Sequence, residues 1–256
     1  MESWSDGPAS DASDVADGAV NGDGGAVGTD ASSSKYAAAV LKDGPIGYWR
    51  LDETNGTVAR DLSGNGYDGT YGSAGFSLAA PGAIAGDGTG VSVSNSPGTD
   101  GVVNIGTTNR FAFTGTAPFS IEAWVKVSIN DDGYRSILKR SRGGPRDGFN
   151  VWAHGGGVGF ERTTNDVNVA IIVPIPLDTF VHVVCTYDVD IARLYTNGVL
   201  GKSTPMKTPI VDTGEPLVWG YSSKPSEFFA GTLDEPAIYD KALTASQVLA
   251  HYNAAK

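Results

Sequence analysis

Apolar and polar residues alternate with a period of two over most of the chain after residue 35. In Phe119-Ser-Ile-Glu-Ala-Trp-Val-Lys-Val127, Ile121, Ala123, Val125 and Val127 fall on one face while Glu122, Trp124 and Lys126 fall on the other, as in a half-buried antiparallel strand. Similar runs predict strands over 46–51, 90–95, 101–106, 135–140, 148–154, 157–162, 167–173, 180–187, 191–196, 199–203, 217–221 and 228–239, separated by turn residues. Runs 180–187 and 191–196 form a hairpin across Asp188-Val-Asp190, and Asn197-Gly198 is a strong two-residue turn signal. Residues 36–41 predict a short helical turn, stopped by Asp43-Gly-Pro45. Thr244-Ala-Ser-Gln247 predicts a capping box that opens a C-terminal helix with Val248, Leu249 and Tyr252 on one face. About a dozen short strands without alternating helices predict an all-β fold, a two-sheet antiparallel jelly-roll sandwich with a short C-terminal helix.

The pattern is absent from residues 1–34, which are Asp, Gly, Ala and Ser with one aromatic, Trp4. Such a segment buries too little apolar surface to offset its ordering entropy, so it reads as a disordered acidic leader or linker before one domain over 35–256. Asn21, Asp23, Gly24 and Asp30 match four positions of an EF-hand loop, but Ala19 holds the first and no amphipathic helix flanks it, so linker composition accounts for them. The leader also accounts for most of the formal charge of −11. It holds seven of the 29 acidic residues and none of the 18 basic ones, leaving 22 acids against 18 bases in the domain. That balance lacks the basic stripe a nucleic-acid surface needs. The nearest cluster, Arg135, Lys139, Arg140, Arg142 and Arg146, reads as a solvated loop, and no nucleic-acid partner is expected.

No run reaches the length of a membrane span, and the first residues are not a basic segment followed by an apolar one, so no export signal is read in this chain. Cys185 is the sole cysteine and alternates with Val181, Val183 and Tyr187, as a small core residue does.

Five ordered stretches resemble the bacterial, secreted laminin G-like jelly-roll domains of the concanavalin A-like superfamily: Ile46-Gly-Tyr-Trp-Arg-Leu-Asp-Glu53, Ala59-Arg-Asp-Leu-Ser-Gly-Asn-Gly-Tyr-Asp-Gly-Thr70, Phe119-Ser-Ile-Glu-Ala-Trp-Val125, the hairpin from Val181 to Val199, and the run from Phe229 to Leu243. The resemblance implies an extracellular or cell-surface tethered domain, and it implies a structural calcium ion near the junction of the first and last strands. Calcium takes carboxylate and carbonyl oxygens, and Asp61, Asn65, Asp68 and Asp234 are the candidate ligands, with Asp52 in reserve; the alternative is that the Asp residues only cap the Ser63-Gly-Asn-Gly66 turn. Where the family has a basic residue after Asp-Glu-Val, Pro236-Ala237 follows Asp234-Glu235 here, which predicts an edge or a bulge.

Hydrolases on this architecture place two or three acids close together on one strand, and no such cluster occurs here, so no catalytic residues are expected. His154, His182 and His251 match no metal motif, and Gly-x-Ser-x-Gly is absent. A ligand surface is therefore sought among aromatic and polar groups on strands and loops: Tyr134, Arg146, Asn150, Trp152 and His154, with Trp219 and Tyr221 as a second pair. The reading that follows is a non-catalytic carbohydrate-binding or adhesion module whose partner is a polysaccharide or glycan. The alternatives are a glycan-active hydrolase or lyase whose acids, such as Glu122 and Glu161, converge from different strands, and a structural domain with a surface protein partner.

Overall fold

The computed structural model describes residues 34–94, 102–129, 131–141, 147–165, 167–220 and 228–256. The chain begins with helix α1 (Lys35–Lys42), followed by β1 (Gly47–Tyr48), β2 (Val58–Ala59), β3 (Gly69–Tyr71), β4 (Phe76–Pro81), β5 (Thr89–Val93) and β6 (Val103–Gly106). Then come β7 (Phe119–Val127), β8 (Arg135–Ser141), β9 (Gly148–His154), β10 (Gly157–Thr164), β11 (Val167–Pro174), β12 (Phe180–Asp188), β13 (Ile191–Thr196) and β14 (Val199–Pro205). The chain closes with β15 (Leu217–Trp219), β16 (Gly231–Tyr239) and helix α2 (Ala245–Ala254).

These strands form two antiparallel sheets. Sheet I runs β14-β13-β12-β7-β16-β5-β4, with β1 also paired to β16; sheet II runs β11-β10-β9-β8-β15-β6-β3-β2. Alternation along each strand sends Phe119, Ile121, Val125, Val183 and Leu233 from sheet I against Phe149, Val151, Phe160, Leu217 and Trp219 from sheet II, giving the jelly-roll core between the layers. Asn197 and Gly198 both have positive φ, 52° and 79°, as the tight turn into β14 requires.

The outer face of sheet I is closed by both helices. Tyr36, Val40 and Val248 from the helices join Trp124, Val184, Tyr195 and Tyr239 from the strands in a second apolar cluster. Ser34, which the sequence pattern places in the leader, caps α1 by accepting from the Ala37 amide at 3.0 Å. The capping box of Thr244 and Gln247 opens α2 as expected.

At the centre of this layer lies one fully buried carboxylate, Glu122. It accepts from Tyr36 Oη at 2.9 Å, Tyr239 Oη at 2.8 Å, His182 Nε2 at 2.7 Å and His251 Nδ1 at 3.0 Å. His251 Nε2 also lies 2.9 Å from Asp43, the residue that caps the end of α1. One side chain thus ties both terminal helices to β7, β12 and β16. His182 and His251, read from sequence as packing or surface residues, are both buried in this network.

Pro236 predicts an edge or a bulge, and the bulge is what forms: β16 lies between β7 and β5, and its register with β7 shifts between Asp234 and Ala237. Glu235 takes a positive φ of 54° there. Strands β2, β3 and β4 have no clear alternation signal; β4 is Phe-Ser-Leu-Ala-Ala-Pro with its register shifting between Ser77 and Ala80.

Burial pushes the Glu122 carboxyl upward, but hydrogen bonds from His182 and His251 outweigh it and hold the group below its usual range. Burial lowers His251, yet its bonds to Glu122 and Asp43 leave it raised. The Glu122 contribution to stability is present above its unfolded value near 4.5 and is lost as pH falls through its lowered folded value. The His251 contribution is complete below 6.5 and is lost as pH rises through the raised folded value. Chemical denaturation at a series of pH values is expected to show this contribution at full strength between 4.5 and 6.5 and falling on the alkaline side. Glu122→Gln should cost about 3–5 kcal/mol within that window and flatten the alkaline decline.

Candidate functional site

With sheet I covered by helices, the outward face of sheet II is the place to look for a ligand surface. On β9, Phe149, Val151 and Ala153 enter the core, so Asn150, Trp152 and His154 point outward. Tyr134, just before β8, lies flat on His154, with ring centroids 4.1 Å apart and planes within 4°, and meets Trp152 edge-on at 5.0 Å. Tyr134 is 48% exposed while Trp152 is 4% exposed, so the tyrosine presents a free ring face over a tryptophan floor. Trp152 in turn covers Gly159 on β10, where a Cβ would lie 2.4 Å from the indole; only glycine accommodates the ring there.

A polar ladder runs beside the aromatic group. Ser136 Oγ donates to Asn150 Oδ1 at 3.0 Å, and Asn150 Nδ2 reaches Glu161 Oε1 at 3.5 Å. Trp152 Nε1 and His154 Nδ1 are buried without a hydrogen-bond partner among the described residues. Four of the five residues expected at a ligand surface, Tyr134, Asn150, Trp152 and His154, are therefore gathered on one face. Arg146 and Tyr221 lie outside the described residues, and Trp219 belongs to the core.

The basic cluster read as a solvated loop is different in kind. Arg135 and Arg140 lie on β8 and are buried; Arg135 is held by Asp131 and donates to the Phe228 carbonyl at 2.9 Å, while Arg140 pairs with Asp212 at 2.9 Å. These charges are spent on fixing the ends of the sheet.

The four expected calcium ligands do not form one set. Asp61 is saturated by backbone donors: Oδ1 accepts from Tyr48 and Ser63 at 3.0 and 2.9 Å, and Oδ2 from Tyr67 at 2.9 Å. Asp68 Oδ1 accepts from the Asp61 amide at 2.8 Å, and Asn65 Nδ2 donates to the Pro45 and Ile46 carbonyls, at 3.3 Å each. This is the capped turn, the alternative reading of these residues. Asp234 shares no partner with them and turns to the loop before β5, accepting from the Ala83 amide at 2.7 Å.

Around Asp234 the β16 bulge gathers a different group. Arg50 Nε donates to Glu235 at 3.1 Å, its Nη2 to Asp87 at 2.8 Å, and its Nη1 lies 3.6 Å from Asp52. Tyr48 Oη also donates to Glu235. Three carboxylates thus surround one guanidinium, and beside them Asp234 Oδ1 is buried with no partner among the described residues. Burial pushes Asp234 and Glu235 above the usual carboxylate range, and the Glu235 charge pushes Asp234 further. Gly82 and Gly88 close this pocket: a Cβ at Gly82 would lie 2.9 Å from Asp234 Oδ2 and 3.3 Å from the Gly88 carbonyl. Among the described residues no group of three or more His, Cys, Asp or Glu side chains has metal-binding geometry. Among the described residues, Asp234 Oδ1 is the buried carboxylate oxygen without a partner, and the Asp61 turn has no buried one.

Glu122 and Glu161, the pair named for a hydrolase, do not converge. Ile121 and Ala123 enter the core from sheet I, as Val158 and Phe160 do from sheet II, so Glu122 and Glu161 point away from each other on opposite outer faces. Glu122 is also fully buried under the helices.

Replacing Asp61 with Ala is expected to leave three amides without their charged acceptor, a loss of at least about 1.5–3 kcal/mol. Thermal melts with calcium and with chelator should show the same loss, whereas an ion ligand would give a loss confined to the calcium condition.

The fold is shared with toxin domains. The binding domain of Paraclostridial Mosquitocidal Protein 1 superposes with a TM-score of 0.69 at 17% identity, over 83% of this chain and 52% of that one. The binding domain of botulinum neurotoxin serotype D gives 0.62 at 16% over 84% and 52%, and that of serotype G gives 0.61 at 18% over 81% and 50%. This chain thus spans about half the length of these structures. No curated protein matches its sequence. A family model described as the concanavalin A-like lectin/glucanases superfamily matches residues 97–249. With more than half of its length matched and the two-sheet jelly roll in place, the chain belongs to the concanavalin A-like lectin/glucanases superfamily.

Proposed function

We propose that this chain is a non-catalytic carbohydrate-binding or adhesion module of a secreted or surface-tethered protein, with its sugar platform at Tyr134, Trp152, His154 and Asn150. The observation that carries this reading is the exposed Tyr134 ring held flat on His154 beside the Ser136–Asn150–Glu161 ladder. A sugar ring offers an apolar C–H face with hydroxyls around its rim. A fixed aromatic face flanked by amide, hydroxyl and carboxylate groups complements both. The toxin relatives are named as binding domains, which supports a binding role. No helix among the described residues is long and apolar enough to cross a membrane.

A structural calcium ion fits the same reading, with the unpartnered Asp234 oxygen as its anchoring ligand. It would give the unpartnered Asp234 oxygen a charge partner and fix the loop between β4 and β5 against β16.

A glycan array run with and without calcium tests the ligand class. Tyr134→Ala should weaken binding to any array hit at least about tenfold in calorimetry while leaving the melting temperature nearly unchanged. An array without hits, beside a protein that co-purifies with the chain, would favour a surface protein partner instead. For the ion, calcium added to chelator-treated protein should raise the melting temperature, by the equivalent of about 2.7 kcal/mol at a hundredfold excess over Kd. Asp234→Asn should remove that rise; an unchanged melting temperature in the wild type would argue against the ion.

A further inference from the structure

Sheet II carries a second cleft that the platform does not use. Asp68, Thr70, Tyr71, Gly72, Ser73, Asn104, Ile105 and Gly106 enclose an open space of about 360 Å³ between β3 and β6. Its polar groups are already oriented. Asn104 Oδ1 accepts from the Gly106 amide at 2.8 Å, which directs its amide NH2 away from the backbone, and Asp68 Oδ1 accepts from the Asp61 amide at 2.8 Å, which leaves Oδ2 unused. The Thr70 and Ser73 hydroxyls, the Asn104 NH2 and Asp68 Oδ2 have no hydrogen-bond partner among the described residues. Tyr71 and Ile105 also line the space, with their side chains toward the core. The lining contains one carboxylate and no Lys or Arg, which disfavours an anionic ligand.

Strand register ties this cleft to the platform. Thr70 is opposite Asn104, Asn104 opposite Val218, Val218 opposite Lys139, and Lys139 opposite Asn150. Residues directly opposite one another across strands share a face, so cleft and platform look out from the same side of sheet II. Asn104 and Asn150 are three strand spacings apart, about 14 Å. Tyr134, stacked on His154 four residues beyond Asn150, adds about 13 Å along the strand, so cleft and tyrosine lie within reach of a single oligosaccharide of several rings.

We propose that the β3–β6 cleft is a second sugar subsite, which takes a neutral hexose unit of the same polysaccharide chain that engages Tyr134. The proposal rests on the carbohydrate reading above. It makes the ligand an extended neutral chain and predicts that length adds affinity, because the second contact forms within an already bound complex.

Calorimetry with neutral glucose, mannose and galactose oligomers, each as a disaccharide and a hexasaccharide, separates the two ideas. Asn104→Asp keeps the acceptor for the Gly106 amide and removes the donors, and Thr70→Val removes the hydroxyl from a strand position that tolerates valine. Both variants should weaken hexasaccharide binding at least about fivefold and leave disaccharide binding unchanged, whereas Tyr134→Ala should weaken both lengths. If Asn104→Asp and Thr70→Val bind the hexasaccharide like the wild type, or weaken both lengths equally, the second subsite is wrong while the Tyr134 platform stands. If the wild type binds none of the oligomers, both fall.

Discussion

The buried Glu122 carboxylate sets how this sandwich meets solvent. A charge fully removed from water is tolerated only when its oxygens are occupied. Here two tyrosines and two histidines occupy them, drawn from α1, β12, β16 and α2. Satisfying that group requires both terminal helices to lie on sheet I. The central strands of sheet I are consequently covered on their outer side, and side chains that would otherwise have formed a second ligand surface, Trp124 among them, become part of the seal. Sheet II keeps its outward face, where the exposed aromatic and polar groups lie.

A second constraint comes from the bulge in β16. An extra residue in a central strand turns two successive acids, Asp234 and Glu235, toward the buried side of the β4–β5 loop, and strand alternation alone forbids that. Arg50 offsets part of the charge, with Tyr48 and Asp87 completing its surroundings. What is left is an unpartnered oxygen on Asp234, and an unpartnered buried acceptor is costly to maintain. The bulge thus creates a polar site at the junction of β1, β16 and the β4–β5 loop. The ligand face proposed on sheet II lies on the other layer, so an ion at Asp234 would act on the rigidity of the sandwich and would not touch the ligand.

Much of this was legible in the sequence, and the failures share a cause. Strands β7, β9 and β13 follow from alternation alone, because each has a core face and a polar or covered face. The bulge at Pro236 follows from the missing amide of proline. The platform residues were readable as an i, i+2 pair on β9 with an upstream tyrosine, since spacing within one strand fixes the face. The Glu122 network was not readable: its five residues are scattered from Tyr36 to His251, and nothing in a single sequence states which strands become neighbours. The same limit applies to the expected ion ligands: Asp61 and Asp234 both lie near β1 and β16, and no spacing states that their hydrogen-bond partners differ. Strand β4 was missed because Ser, Ala and Pro carry little strand preference, and its pairing is imposed by β5.

The two layers also differ in what their glycines do. Beneath the platform, Gly159 exists so that Trp152 can lie against the sheet, which lowers the indole and leaves the Tyr134 ring as the raised feature. At the far side of the same face, Gly106 supplies the amide that locks Asn104. Both sites therefore depend on backbone positions that fix side chains before any ligand arrives, and little entropy remains to be lost on binding. A flat, pre-ordered surface of this kind suits a partner that is itself stiff and repetitive. A polysaccharide laid across the strands meets that description, since successive rings would present the same apolar face and hydroxyl rim to successive strands.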